Sequence, residues 1–158
     1  MIRSYGLHWH NDRVFWGRPN NSGTLLGAAS RSPRARKVDF RMQRGIYALY
    51  SDYDLIYTGQ TGAGNDRLFN RLKAHRSDHL SKRWNRFSWF GTQWVTQKND
   101  LSMDTADVHQ SVEGALNMLE AVSIAIAEPR LNLQRGRWGD TTQYYQWSEK
   151  EGDEKAEG

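Results

Sequence analysis

Two short apolar segments joined by a polar turn constrain this chain more than any other feature. Residues 45–50 read GIYALY and residues 55–59 read LIYTG, and the turn between them, residues 51–54, reads SDYD. Apolar and aromatic runs of this length, separated by a short polar turn, are typical of two paired β-strands. We therefore predict an antiparallel hairpin over Gly45–Gly59.

Helical periodicity begins after the hairpin. Leu68 and Leu72 are four residues apart and would face the core together, which predicts a helix from about Arg67 to His79. Asn65 or Asp66 is the candidate N-cap of this helix.

An aromatic strand and a longer helix are predicted next. The strand covers Phe87–Val95, and the helix starts near Asp104 or Thr105 and ends before Pro129, because proline is not tolerated inside a helix. The predicted buried arc of this helix comprises Val108, Val112, Ala115, Leu116, Leu119, Val122, Ser123 and Ile126.

The segment ahead of the first hairpin is rich in aromatic residues. Within Tyr5–Trp16, LHWH and RVFW flank Asn11-Asp12, which predicts a second, N-terminal hairpin, and Gly17–Arg36 has the composition of a loop. The resulting order β-β-α-β-α, with a β-rich extension in front, indicates an α/β or α+β domain.

Length and composition exclude several classes of protein. At 158 residues the chain has room for one domain, and the absence of cysteine excludes disulfide scaffolds, Cys-ligated zinc, iron–sulfur clusters and cysteine nucleophiles. No apolar run approaches the ~20 residues needed to span a bilayer. Residues 1–10 lack the apolar core of a signal peptide, so we expect a cytoplasmic protein with no membrane partner.

Positive charge is concentrated in the body of the chain. Lys and Arg number 22 against 18 Asp and Glu, but residues 149–158 hold five acids and two lysines, so residues 1–148 carry +7. The basic residues cluster in Arg31–Arg44 and in Asp66–Arg86. This distribution favours contact with a phosphate backbone, and we interpret the acidic tail as disordered.

Four short motifs follow one another in register. The hairpin carries GIY at residues 45–47 and YTG, continued as GxT, at residues 57–61; RLKAH follows at 71–75, and Glu120 precedes PRLN at 129–132. This succession resembles the GIY-YIG nuclease family over about residues 44–133. The resemblance implies a metal-dependent phosphodiesterase built on a small central antiparallel sheet flanked by helices, here with the extra N-terminal hairpin.

The resemblance also assigns roles to residues. Tyr47 and Tyr57 match the two family tyrosines, Arg71 the arginine, and His75 the histidine one helical turn later. Glu120 matches the metal-binding glutamate, which implies Mg²⁺ or Mn²⁺ as cofactor. Site-supporting positions are Gly45, Gly59 and Asn132. The expected nucleic-acid contacts are Arg44, Gln60, Thr61, Arg67, Lys73, Lys82 and Arg83.

The chemistry of the side chains agrees with these roles. Arg71 would offer a planar, permanently charged fork to two phosphate oxygens, and a carboxylate such as Glu120 is the hard oxygen ligand that Mg²⁺ prefers. We hypothesise that Tyr47 is the general base, which requires its pKa to fall well below ~10, and that Tyr57 orients water or phosphate.

Departures and alternatives remain open. Gln60 stands where many family members have lysine, so Lys73 or Lys82 would have to supply that charge. Strand tyrosines are commonly structural, and His75 with His79 forms an HxxxH pair that could hold zinc. Glu113 is the rival to Glu120.

The sequence therefore predicts an endonuclease with a core at 45–133, a basic extension at 1–44, a C-terminal extension at 134–148 and a tail at 149–158. The expected partner is nucleic acid, most simply DNA, bound by a monomer or transient dimer with one active centre per chain. The alternative is a catalytically weak nucleic-acid-binding module that retains the fold.

Overall fold

The computed structural model describes residues 2–61, 66–103, 119, 122, 123, 125, 126 and 141–148. The predictions for Asn65, for most of the second helix and for the acidic tail fall outside these residues. No helix in the described ranges is long and apolar enough to cross a membrane.

The predicted hairpin is confirmed. Strand β4 covers Gly45–Ser51 and strand β5 covers Asp54–Gln60, and the two pair in antiparallel register with Tyr47 opposite Gly59.

A five-stranded sheet, here the main sheet, contains this hairpin. Its other strands are β1 (Ser4–His10), β6 (Arg86–Gly91) and β7 (Thr142–Gln143), and the order is β5-β4-β6-β1-β7. All neighbours are antiparallel except β1 and β7, which are parallel. Strand β4 is paired on both sides, which explains why it is apolar on both faces.

Three short strands form a second sheet, here the small sheet. They are β2 (Leu26–Ala28), β3 (Val38–Asp39) and β8 (Tyr145–Gln146), in the order β3-β2-β8. The predicted loop over residues 17–36 therefore contains one strand, and the aromatic strand predicted to reach Val95 ends at Gly91.

The predicted N-terminal hairpin is wrong. Strand β1 pairs with β6 and β7, a 3-10 turn follows at Asn11–Arg13, and Phe15 makes only an isolated bridge to Thr24. Val14 and Trp16 are nevertheless buried. Their side chains are buried in the core directly, so this aromatic segment does not have to pair with a neighbouring strand.

The main sheet buries a different cluster on each face. The first face carries Tyr47 and Trp89, and a large aromatic core covers it; Trp9 and Trp89 meet there edge to face at 5.4 Å. The opposite face carries Ile46 and Phe90. Adjacent strand residues point to opposite faces, which separates the two clusters.

Helix α1 covers Leu68–Ala74 and is shorter than predicted. Leu68 and Leu72 are buried, as expected. The helix has no side-chain cap, so the prediction that Asp66 caps it is wrong: Arg67 is the N-cap residue. The amides of Leu68 and Phe69 instead donate to the carbonyls of residues 43 and 41, which satisfies the first turn from the chain ahead of β4.

The described positions of the second predicted helix are helical. Val122 and Ala125 are buried against the Ile46 face of the main sheet, whereas Leu119 is 61% exposed and Ser123 is exposed. Placing Leu119 and Ser123 on the buried arc was therefore wrong, because the arc drawn from the sequence was too wide.

These elements make a sheet-dominated α+β fold. The coarse class predicted from the sequence is confirmed, with a mixed rather than purely antiparallel main sheet.

The first glycine of the GIY motif is expected to be structural. Gly45 has φ +153°, and a Cβ there would overlap the carbonyl oxygen of Phe90 on β6. Replacing it with alanine (Gly45→Ala) should lower the free energy of unfolding by about 3 kcal/mol, because both backbone strain and overpacking oppose it. Urea unfolding followed by circular dichroism measures this change.

The matched control is Ser51→Ala, at the exposed end of the same strand. It should change stability by less than about 0.5 kcal/mol. Equal unfolding midpoints for the two variants would contradict the proposed clash.

Candidate active site beside strands β4 and β5 and helix α1

Four side chains predicted from the sequence lie together on the first face of the main sheet. They are Tyr47 from β4, Tyr57 from β5, Arg71 from α1 and His75 from the residue that follows α1. The Tyr47 hydroxyl is 2.7 Å from His75 Nε2, and the Tyr57 ring centroid is 4.8 Å from that of His75. The structure thus brings together residues up to 28 positions apart.

Strand register places the two tyrosines on one face. Tyr47 is opposite Gly59 and Tyr57 is opposite Leu49, so both side chains point to the same side of the sheet. A Cβ at Gly59 would lie 2.5 Å from the Tyr47 hydroxyl. Gly59 therefore supports the site because it lets the Tyr47 ring lie directly over the β5 backbone.

The end of α1 is tied to the aromatic core. Trp84 Nε1 donates to the carbonyl oxygen of His75 at 3.1 Å, and His75 is only 5% exposed. Arg71, one turn earlier, is partly exposed, so the same helix face presents a buried imidazole and an accessible guanidinium.

Asp78 belongs to the site and was missed from the sequence. Its Oδ2 lies 2.7 Å from His75 Nδ1, and its Oδ1 accepts from the Leu80 amide at 2.8 Å. Burial acts to raise the pKa of Asp78, but the Leu80 amide and His75 outweigh it, and the net pKa is lowered. The signal available in the sequence was a carboxylate three residues after a motif histidine.

The ionised Asp78 sets the tautomer of His75. A carboxylate only accepts hydrogen bonds, so in the neutral imidazole Nδ1 carries the proton and donates it to Asp78. Nε2 is then an acceptor, and the Tyr47 hydroxyl donates to it. This assignment follows from the bonding partners of the ring.

Asp66 is a second residue that the sequence missed. Its Oδ2 is 3.7 Å from a terminal nitrogen of Arg71, and both side chains are partly exposed. The hydrogen bond with Tyr47 is the largest of the effects that raise the pKa of Arg71, so the guanidinium stays charged. Arg71 Nε has no hydrogen-bond partner in the described structure.

Tyr47 does not have the properties of a general base that touches water. It is 0% exposed, and burial raises its pKa to about 12 even though Arg71 opposes the shift. The hypothesis needed a pKa well below the ordinary value. Tyr57 is partly exposed and is the phenol that faces solvent.

Two predicted residues, Glu120 and Asn132, and the rival Glu113 lie outside the described residues. Nearby in sequence, Val122 and Ala125 pack on the face of the main sheet opposite to Tyr47.

The remaining predicted positions near the hairpin have mixed environments. Thr61 ties the end of β5 to the start of β4: its Oγ1 accepts from the Gly45 amide at 3.1 Å, and its amide donates to the Gly45 carbonyl at 2.9 Å. Gln60 is exposed. The Arg44 carbonyl accepts from the Thr92 amide, which places this arginine beside the end of β6.

The basic residues around α1 remain candidates for nucleic-acid contact. Lys73, Lys82 and Arg83 are exposed. Arg67 is partly buried, and its Nε and one terminal nitrogen have no hydrogen-bond partner among the described atoms.

Among the described residues, no group of three His, Asp or Glu side chains is placed to hold a metal ion. The zinc alternative is also disfavoured by geometry: both ring nitrogens of His75 are already bonded, to Tyr47 and Asp78, so the HxxxH pair with His79 has no free nitrogen there.

Burial of Tyr47 predicts a dependence of stability on alkaline pH. A phenol whose pKa rises from 10 to about 12 on folding holds its proton more tightly in the folded state. Its contribution is therefore complete below pH 10 and is lost as pH rises through 12. Urea unfolding between pH 9 and about 12 should show this loss, and Tyr47→Phe should make the slope shallower. An unchanged slope in the variant would contradict the shift.

Comparison with protein-family models, with curated proteins and with solved structures finds no match for this chain. The site is therefore interpreted from its own geometry and from the motifs of the sequence.

Proposed function

We propose that this protein is a metal-dependent endonuclease of the GIY-YIG type, which hydrolyses phosphodiester bonds in DNA with one active centre per chain. The observation that carries the proposal is the convergence of the two motif tyrosines with the motif arginine and histidine. Residues that meet only after folding are more specific to a function than any one tripeptide. The proposal includes a core in which helices flank the sheet.

Arg71 is the phosphate ligand in this proposal. Its guanidinium is charged and partly exposed, and it is hydrogen-bonded to Tyr47. Asp66 Oδ2 lies 3.7 Å from one of its terminal nitrogens. A positioned guanidinium stabilises the charge that develops on phosphate oxygens during hydrolysis. Its solvent-facing side is where a phosphate would bind.

Tyr57 takes the role of contacting the attacking water, and Tyr47 becomes a positioning residue. Tyr57 is accessible and interacts with Tyr47, whose hydroxyl donates to His75 Nε2. The proton of the water can leave along these hydroxyls to His75, where Asp78 stabilises the resulting imidazolium. This path uses no ionised phenol, so the high pKa of Tyr47 does not oppose it.

Mg²⁺ or Mn²⁺ enters the proposal through Glu120 on the strength of the sequence motif alone. Val122 and Ala125, the described residues that follow it, pack on the face of the main sheet opposite to Tyr47, and this placement favours the binding module. The described side chains alone do not form a metal site, since Asp66 and Asp78 are engaged with Arg71 and His75. A bound divalent ion would neutralise phosphate charge and stabilise the leaving oxygen.

The basic surface supports nucleic acid as substrate. Residues 1–148 carry +7, and Lys73, Lys82 and Arg83 beside the site are exposed. The alternative is a binding module without turnover, which the complete burial of Tyr47 favours. The two proposals differ in whether metal-dependent cleavage accompanies binding.

Cleavage of supercoiled plasmid DNA tests the enzyme directly. With Mg²⁺ the protein should nick the plasmid, and with EDTA it should not. Arg71→Ala should reduce the rate by about 10²-fold or more, because a charged transition-state contact is lost. Arg76→Ala is the matched control; it removes an exposed charge that lies over Trp16, and it should change the rate by less than about threefold.

The role of the metal is tested by comparing variants of two glutamates in the second predicted helix. Glu120→Ala should abolish nicking while plasmid binding in EDTA persists, and Glu113→Ala should retain nicking. Salt-sensitive binding without nicking under any condition would establish the binding module instead. Loss of nicking in Glu113→Ala alone would transfer the metal role to that residue.

The pair formed by His75 and Asp78 provides a separate test. Asp78→Asn keeps the oxygen that accepts from Leu80 but directs an amide toward His75 Nδ1, which moves the imidazole proton to Nε2. The bond from Tyr47 is then lost, and nicking should fall by about 10²-fold. Ser77→Ala, an exposed neighbour, is the control.

Stability and the effect of removing the Tyr47 hydroxyl separate this role from a structural one. Asp78→Asn should unfold within about 1 kcal/mol of the parent protein, since one carboxylate oxygen is retained. Tyr47→Phe interrupts the path from Tyr57 to His75, so it should lower the rate about as much as Asp78→Asn does, by about 10²-fold. A Tyr47→Phe rate equal to that of the parent protein would refute the path through this hydroxyl.

A further inference from the structure

A cleft of about 400 Å³ lies where strand β1 of the main sheet meets strand β8 of the small sheet. Its lining includes His10, Arg13, Arg31, Tyr145, Gln146 and Trp147. Its volume is within the ~300–1,000 Å³ range of small-molecule sites. None of these residues belongs to the candidate active site.

The cleft is positively charged. Arg13 and Arg31 are exposed, and neither forms an ion pair within the described ranges. No acidic side chain is among the described residues that line it. Two guanidiniums with no acidic partner among the described residues favour an anionic ligand, and phosphate suits their planar donors.

Aromatic rings form the other part of the lining. The Arg31 guanidinium lies 4.8 Å from the Tyr145 ring centroid, and Lys37 Nζ lies 3.7 Å from that of Trp147. Lys37 is held there by the carbonyls of Pro33 and Ala35, at 3.1 and 2.7 Å. Guanidinium planes and aromatic rings are the surfaces on which unpaired bases stack.

The cleft is built before any ligand arrives. Gln146 bonds both backbone groups of His10: its Oε1 accepts at 2.6 Å and its Nε2 donates at 2.8 Å. The Trp147 amide donates to the Leu26 carbonyl at 2.9 Å. A preformed site loses little entropy when it binds, which favours a specific ligand.

We propose that this cleft binds one unpaired nucleotide of a single-stranded DNA segment, with the base against Arg31 and Tyr145 and the phosphate near Arg13. An unpaired nucleotide is required because a base stacked within a duplex cannot enter a concave site. In the order of strands across the main sheet, β1 is the third strand from β5, which corresponds to about 14 Å at the usual strand spacing.

The choice of nucleic acid as ligand rests on the proposed function, and it deepens that function by naming the substrate. A strand held in the cleft and continuing toward Tyr57 would make DNA with a single-stranded portion the preferred substrate. The cleft would recognise the unpaired portion and leave the reaction to the active site.

Fluorescence anisotropy with the full chain in EDTA tests the cleft without any cleavage. The probes are a labelled oligothymidylate and a blunt duplex of equal length, and the wild type should bind the single strand more tightly. Arg31→Ala should weaken oligothymidylate binding by about tenfold, in the range measured for lost stacking contacts. Tyr145→Leu, which keeps an apolar strand residue, should do the same.

Arg34→Ala is the matched control, because it removes an exposed arginine of the same loop that does not line the cleft. It should weaken binding by less than about twofold. If Arg31→Ala and Arg34→Ala weaken oligothymidylate binding equally, the binding depends only on the overall positive charge of the loop, and the proposal is overturned. Displacement of oligothymidylate by polyglutamate as readily as by unlabelled oligothymidylate would also overturn it, in favour of an acidic protein partner.

The outcomes separate this proposal from the enzyme. Binding that depends on Arg31 together with a plasmid that is never nicked would support the cleft and refute the nuclease. A protein that nicks the plasmid but binds single strands no more tightly than duplexes would support the nuclease and refute the cleft.

Discussion

The hydrogen bond between Tyr47 and His75 joins the centre of the main sheet to helix α1 where water is excluded. Both side chains are almost completely buried, so losing either one would leave the other with a buried polar atom that lacks this bond. Helix α1 has seven residues and would not be stable in isolation. The bond, with the packing of Leu68 and Leu72, fixes this helix on the strand that is paired on both sides.

Burial divides the site into two layers with different chemistry. Tyr47 and His75 form a buried layer in which the phenol stays neutral, and the partly exposed Asp78 bonds to His75 at its edge. Arg71 and Tyr57 form the accessible layer. The motif resemblance assigns the reactive role to Tyr47, whereas only Tyr57 of the two tyrosines is exposed to solvent, which is why the proposed function places Tyr57 beside the water.

Local signals in the sequence predicted the hairpin and the buried face of helix α1, because strand alternation and helical spacing are properties of neighbouring residues. The meeting of the two tyrosines with Arg71 and His75 was predicted only by the resemblance to the GIY-YIG family. The N-terminal hairpin failed because the true partner of β1 is β6, far along the chain. Asp78 was missed because a carboxylate in a turn after a helix belongs to no periodic pattern. The burial that keeps Tyr47 neutral depends on the assembled core and has no local signal.

The pairing of β1 with the last described strands also governs how the chain can fold. His10 and Gln146 are hydrogen-bonded across 136 positions of sequence, which is a contact of very high order. During synthesis, the β4–β5 hairpin and α1 are complete long before β7 and β8 leave the ribosome. The part of the main sheet that carries Tyr47, with helix α1, can therefore assemble early, while the cleft between β1 and β8 forms only after the later strands have been made.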